Sequence, residues 1–83
     1  MAEITNNPDV TDEQLLRDIE NTKKELEAYQ KLTEGYEALA NLPENAGAEA
    51  AMHHTKAVYF ATLKGKCQAF LEYLTALKEL RKL

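Results

Sequence analysis

The sequence contains few of the residue types that build most active sites and metal sites. Its 83 residues include one cysteine and two histidines, with no serine and no tryptophan. One cysteine excludes an internal disulfide, and the chain has neither a zinc-type cysteine–histidine set nor a glycine-rich phosphate loop. No apolar run approaches the ~20 residues that cross a membrane, and the first residues lack a signal-peptide pattern. We therefore expect a cytoplasmic protein that binds no membrane and needs no cofactor.

The remaining reactive side chains do not form a catalytic set. Cys67 and His53 would lie ~20 Å apart along one helix, which is too far for a nucleophile and its base. Glu49 and His53 have an i,i+4 spacing that places two metal ligands on one helix face, but two ligands are too few for a metal site. We predict that the protein is not an enzyme, with no catalytic residues and no metal site.

Proline and glycine are also scarce, and the long segments without proline carry two heptad patterns. Hydrophobic residues make up 45% and charged residues 29% of the chain, which is typical of a folded helical protein. The two runs, separated by Pro43 and Gly47, are Leu15, Ile19, Thr22, Leu26, Tyr29, Thr33, Tyr36, Ala40 and then Phe60, Leu63, Cys67, Phe70, Leu74, Leu77. Spacings of three and four put each run on one side of a helix. The pattern predicts an all-α, coiled-coil-like antiparallel two-helix hairpin.

The predicted boundaries follow from local start and stop signals. Thr11 is a good N-cap with Gln14 three residues later, as in a capping box, and Pro43 cannot continue a helix. We predict a flexible tail over 1–10, then a helical hairpin over 11–83: a helix over about 11–42, a turn over about 43–47 and a helix over about 48–83. Acid-before-base pairs at i,i+4 support the first helix; they are Glu13–Arg17, Glu20–Lys24 and Glu27–Lys31.

Folding the chain about residues 44–45 brings the two apolar runs into register. The predicted facing pairs are Leu15–Leu74, Ile19–Phe70, Thr22–Cys67, Leu26–Leu63, Tyr29–Phe60, Thr33–Lys56 and Tyr36–His53. Two independent runs agree in this register. Cys67 is interpreted as a small buried side chain in this seam.

The chain carries more apolar surface than one hairpin interface uses. We predict that the excess, together with a stripe of small residues, forms an oligomer or partner interface. Its residues are Val58, Tyr59, Leu71, Tyr73, Leu80, Ala61, Gly65 and Ala69. Two hairpins would satisfy it as a four-helix bundle, with a homodimer favoured.

Polar and aromatic residues accumulate near the turn, which suggests a second kind of site. A small-ligand pocket there would use Tyr29, Thr33, Tyr36, His53 and Lys56. The alternative interpretation is an ordinary hydrated hairpin tip.

Charge is unevenly distributed between the halves of the chain. Residues 1–42 have ten acidic and four basic side chains, whereas residues 43–83 have four acidic and six basic ones. This balance suits cohesion between helices better than nucleic-acid binding, which usually requires a clear basic excess. We predict a non-enzymatic interaction protein (adaptor, inhibitor or chaperone-like) that homo-oligomerises and binds another protein. The alternatives are a small-ligand-sequestering oligomer that uses the end around His53 and Lys56, and a nucleic-acid-binding adaptor.

Overall fold

The computed structural model describes residues 9–45 and 47–83, which form two helices packed against each other as a hairpin. Helix α1 spans Asp12–Ala40 and helix α2 spans Ala48–Leu80. The molecule measures 53 × 25 × 17 Å. Most of the predicted tail, residues 1–8, lies outside the described part of the chain. Val10, at its end, packs against the hydrophobic core.

Helix α1 begins and ends through identifiable hydrogen bonds. The backbone N–H of Gln14 donates to Oγ1 of Thr11 at 3.1 Å, so Thr11 caps the helix. The Gln14 side-chain amide donates to the Asp18 carboxylate at 2.7 Å, so it bonds a residue one turn further along α1. At the other end, the Asn45 amide donates to the carbonyl of Leu39 at 2.7 Å. This bond satisfies a carbonyl that the end of the helix leaves without an intrahelical partner.

Helix α2 begins after a glycine that the turn geometry requires. Gly47 has φ 61° and ψ −127°, a conformation that side chains with a Cβ rarely adopt. Its carbonyl accepts the first helical hydrogen bond, from the N–H of Ala51 at 3.1 Å. The helix ends one residue before Arg81, and Lys82, at φ 60°, turns the chain out of the helical path.

The largest hydrophobic core lies at the open end of the hairpin, far from the turn. Leu15, Ile19, Leu74 and Leu77 form a buried cluster, and Leu15 is fully buried. Burial of each such side chain contributes about 1.5–3 kcal/mol. Nearby, the Arg81 guanidinium donates to the Asp12 carboxylate at 3.1 Å and ties the C-terminus of α2 to the start of α1.

The structure brings together three of the predicted facing pairs, Thr22–Cys67, Tyr29–Phe60 and Tyr36–His53. It departs from the predicted register at Lys56, which is exposed while its neighbour Ala57 is buried, and at Phe70. The Cys67 thiol donates to the carbonyl of Thr22 at 3.4 Å, which places the two small residues opposite each other. Phe70, predicted to face Ile19, is 50% exposed. Leu71 instead packs against the core cluster. The two residues are separated by about 100° of helix rotation, and the smaller leucine occupies the inner position.

Exposed charges on α1 pair within the helix. Arg17 bonds Glu13 at 3.0 Å, and Lys31 bonds Glu27 at 3.1 Å. Glu20 pairs with Lys23 at 3.7 Å, three residues on, where the sequence had suggested Lys24. Each exposed pair of this kind contributes a few tenths of a kcal/mol.

Candidate interaction surface

The two broad sides of the hairpin differ in character. On one side, both helices line a polar groove of about 370 Å³; its residues are Gln30, Thr33, Glu34, Glu37, Ala61, Lys64, Gly65 and Gln68. We call this side the groove face. The side chains that flank the seam on its other side include Leu32, Leu39, Tyr59, Phe70, Tyr73 and Leu80. We call that side the apolar face.

Large hydrophobic side chains are exposed along the whole apolar face. Tyr59 is 58%, Leu80 53% and Phe70 50% exposed, and Met52 and Tyr73 are exposed as well. The rings of Phe70 and Tyr73 stack with their centroids 6.4 Å apart, which joins them into one patch. Large hydrophobic side chains grouped on one side of a protein in this way indicate an interaction surface, whereas scattered single ones do not.

The apolar face of α2 follows a second heptad pattern beside the first. The spacing of four and three residues runs through Met52, Lys56, Tyr59, Leu63, Lys66, Phe70, Tyr73, Leu77 and Leu80. It shares Leu63, Phe70 and Leu77 with the first run, and Leu77 is buried in the core, so the exposed members of the apolar face are the others and Phe70. Sequence reasoning placed Phe70 in the inner seam and did not single out Met52. The second heptad spacing could have identified both residues as part of the apolar face, because a helix that packs against two neighbours carries two offset seams.

The residues predicted as one interface lie on different sides of α2. Tyr59, Tyr73 and Leu80 share a heptad position on the apolar face, and all three are exposed. Leu71 is partly buried within the hairpin. A second group, on the outer or groove side of the helix, consists of Val58, Ala61, Gly65 and Ala69. The apolar face therefore holds the predicted residues that share one exposed side of α2, with Lys66 between Tyr59 and Tyr73.

The small-residue stripe leaves open space and brings no helix close within one chain. Apart from the backbone of its own helix, a Cβ added at Gly65 would meet no atom of the described residues within 4 Å, and the same holds for Gly35. Ala57, one turn before Ala61 and two before Gly65, is buried at 2% exposure. The stripe thus starts in the hairpin interior and turns outward toward Gly65, because a four-residue spacing drifts around the helix.

Near the turn, aromatic rings fill the space between the helices. The Tyr36 ring lies nearly parallel to Phe60 at 5.6 Å and stacks on His53 at 6.1 Å. Tyr29 stacks on Phe60 from the other side at 6.4 Å. Such pairs add about 0.5–1.5 kcal/mol each beyond the area they bury. Three residues of the predicted ligand pocket, Tyr29, Tyr36 and His53, are thus joined in an interhelical stack.

The two other residues of the predicted pocket have internal partners. The buried Thr33 hydroxyl donates to the carbonyl of Tyr29 at 2.8 Å. Nζ of Lys56 lies 5.4 Å from the centre of the Tyr36 ring, a cation–π geometry. Among the described residues, the buried Nδ1 of His53 has no hydrogen-bond partner.

Cys67 is held as a protonated thiol at the centre of the rod. Burial raises the pKa of the Cys67 thiol, and the nearby Glu25 carboxylate raises it further. Because the thiolate is the reactive form, a raised pKa reduces reactivity. Within residues 9–45 and 47–83, no three His, Cys, Asp or Glu side chains are grouped as metal ligands would be.

The basic residues of α2 do not form a single patch. Lys64 lines the groove beside Glu34 and Glu37, whereas Lys66 lies on the apolar face. Arg81 bonds Asp12 at the open end. The lysines and the arginine therefore point to different parts of the surface, and acidic side chains lie near several of them.

Comparison with known proteins gives no relative whose role can be transferred to this chain. No family model matches the chain, and neither a curated protein nor a solved structure shows significant similarity to it. Neither of the two helices combines the length with the low charge that a bilayer-crossing segment needs, as judged over the described residues. The function is therefore argued from the surface itself.

Proposed function

We propose that this chain is a non-enzymatic helical interaction protein that self-associates, most simply as a four-helix dimer, and acts on a partner protein as an adaptor, inhibitor or chaperone-like factor. The observation that carries the proposal is the apolar face. Tyr59, Phe70, Tyr73 and Leu80 stay exposed along one side of α2 although the hairpin has its own core. Burying such side chains against another chain contributes about 25 cal/mol per Å² of apolar surface, which favours association.

The geometry near the turn supports this proposal over ligand sequestration. A ligand pocket needs convergent polar groups around an open cavity. Here the Tyr29, Tyr36 and His53 rings are stacked with Phe60 between the helices, and the Thr33 hydroxyl is bonded to the backbone. The stack holds the two helices together.

Light scattering after size exclusion, over a concentration series, tests self-association. We expect a mass of at least two chains for the wild type and a shift toward the monomer for Tyr73→Glu, which places a charge in the apolar face. Val58→Glu is the matched control. Val58 is also exposed, but it shares its heptad position with Gly65 and Glu72, away from that face. A folded wild-type monomer at every concentration would contradict self-association and leave the face for another protein.

A further inference from the structure

The apolar face lies on a side of the molecule whose extents leave room for a standard interface, and charged side chains border it. A standard interface needs about 800 Å² from each partner, and the molecule is 53 Å long and 25 Å wide. The charged side chains that flank this face are acidic on α1, at Asp18 and Glu25, and basic on α2, at Lys56 and Lys66. One basic side chain of α1, Lys31, also borders the face beside Leu32 and Leu39, where it pairs with Glu27 of its own helix. The Lys56 ammonium already lies against the Tyr36 ring. Glu25 and Lys66 are the central pair.

Glu25 and Lys66 lie at nearly the same height along the rod. The contact between Cys67 and the Thr22 carbonyl fixes the level of the two helices. Glu25 is three residues, or about 4.5 Å, from Thr22 toward the turn, and Lys66 is one residue, or about 1.5 Å, from Cys67 in the same direction. The two charges therefore differ in height by only about 3 Å.

Two symmetric dimers can bury the apolar face, and they differ in their electrostatics. A two-fold axis perpendicular to the helices places α1 against α1 and α2 against α2 of the second copy, so helices of like charge meet. An axis parallel to the helices places α1 of each copy against α2 of the other, at equal height. Like charges that face each other across an interface weaken it, whereas opposite charges favour it and fix its register.

Building on the self-association proposed above, we propose that the apolar face binds a second copy of this chain about a two-fold axis parallel to the helices. In this dimer Glu25 of each copy faces Lys66 of the other, and the two turns lie at the same end. Facing helix axes in packed bundles are 8–10 Å apart, a distance that glutamate and lysine side chains span. The aromatic residues Tyr59, Phe70 and Tyr73 of each copy are buried against α1 of the other.

Charge reversal tests the intermolecular pair. We expect Glu25→Lys and Lys66→Glu each to weaken dimerisation by about tenfold or more at low salt, because two like-charge contacts form per dimer. An equimolar mixture of the two variants should dimerise about as tightly as the wild type, since each contact between the chains then joins opposite charges. Within each chain the repulsion persists in the mixture, so recovery there identifies the contact as intermolecular. Glu20→Lys is the matched control and should leave the dimer unchanged, because Glu20 pairs with Lys23 and shares its heptad position with Glu34 of the groove face.

A distance between labels measures the direction of the two chains independently. Spin labels on Glu44→Cys, in the exposed turn, in a Cys67→Ser background should be separated by well under half of the 53 Å length of the molecule. Circular dichroism confirms beforehand that each variant is folded.

The outcomes separate this inference from the proposed function. A dimer with label separations near the full length of the rod would overturn the parallel axis while self-association stands. Unchanged dimerisation of both charge variants would likewise overturn the Glu25–Lys66 contact alone. A monomeric wild type would contradict the proposed self-association, and this inference with it.

Discussion

Replacement of Gly65 by alanine should change the stability of the hairpin without changing its association. Gly65 lies in the interior of α2 and is exposed. Glycine in a helix interior is about 0.8–1.0 kcal/mol less favourable than alanine, because its unfolded backbone has more freedom to lose. A methyl group there meets no atom within 4 Å, so no steric cost opposes the gain.

We therefore expect Gly65→Ala to raise the free energy of unfolding by about 1 kcal/mol. For a domain of this size such a change raises the melting temperature by about 4–8 °C. The assay is urea and thermal unfolding followed by circular dichroism at a fixed protein concentration. Fixed concentration matters because association also stabilises the folded state.

Two matched glycines make the measurement decisive. Gly35→Ala, in α1, also meets open space and should stabilise the hairpin by a similar amount. Gly47→Ala should destabilise it, because φ at this position is 61°. The dimer proposed here leaves Gly65 outside the interface, so Gly65→Ala should not change the dissociation constant. A loss of stability, or weaker association, would refute the reasoning and indicate a close helix contact at the small-residue stripe.

Two further predictions concern the cap and the thiol. Thr11→Ala should lower the free energy of unfolding by about 1 kcal/mol, since it removes the helix cap. Thr55→Ala, at an exposed position inside α2 whose hydroxyl bonds only the preceding turn, should not lower it, because alanine is the better helix former. Equal losses in urea unfolding would contradict the role of the cap. The raised pKa of Cys67 means that the folded state keeps a proton that the unfolded state loses at high pH. The contribution of Cys67 to the free energy of unfolding should be intact below the ordinary thiol pKa and should fall as pH rises above it. This fall should be smaller in Cys67→Ser. Urea unfolding between about pH 8 and pH 10 measures the difference.

The sequence predicted the hairpin and its register because two independent constraints agreed. The heptad positions of Thr22 and Cys67 and of Tyr36 and His53 fixed the same pairing, and the structure brings both pairs together. The inner seam was less well determined where apolar residues are adjacent. Either Phe70 or Leu71 satisfies a heptad, and side-chain volume in the narrow seam decided between them.

The candidate surface was less predictable than the fold. A list of surplus apolar residues does not say which of them share a side, and Val58 and Tyr59 are neighbours in sequence but differ by about 100° around the helix. Near the turn, residue types suggested a polar pocket. Their rings instead stack on Phe60, because planar side chains facing each other at this spacing gain more by contact than by enclosing water.

The two clusters that join the helices have different consequences for how the chain folds. The aromatic stack of Tyr36, His53 and Phe60 closes a short loop, whereas the bond from Arg81 to Asp12 spans 69 positions. Each doubling of loop length adds about 0.6 kcal/mol to the entropic free-energy cost of closing the loop. We therefore expect the stack to form first and the hairpin to zip toward the leucine cluster. Because that distant cluster is the better buried of the two, the last contacts to form also suppress fraying, and amide exchange should be slow at both ends of the rod.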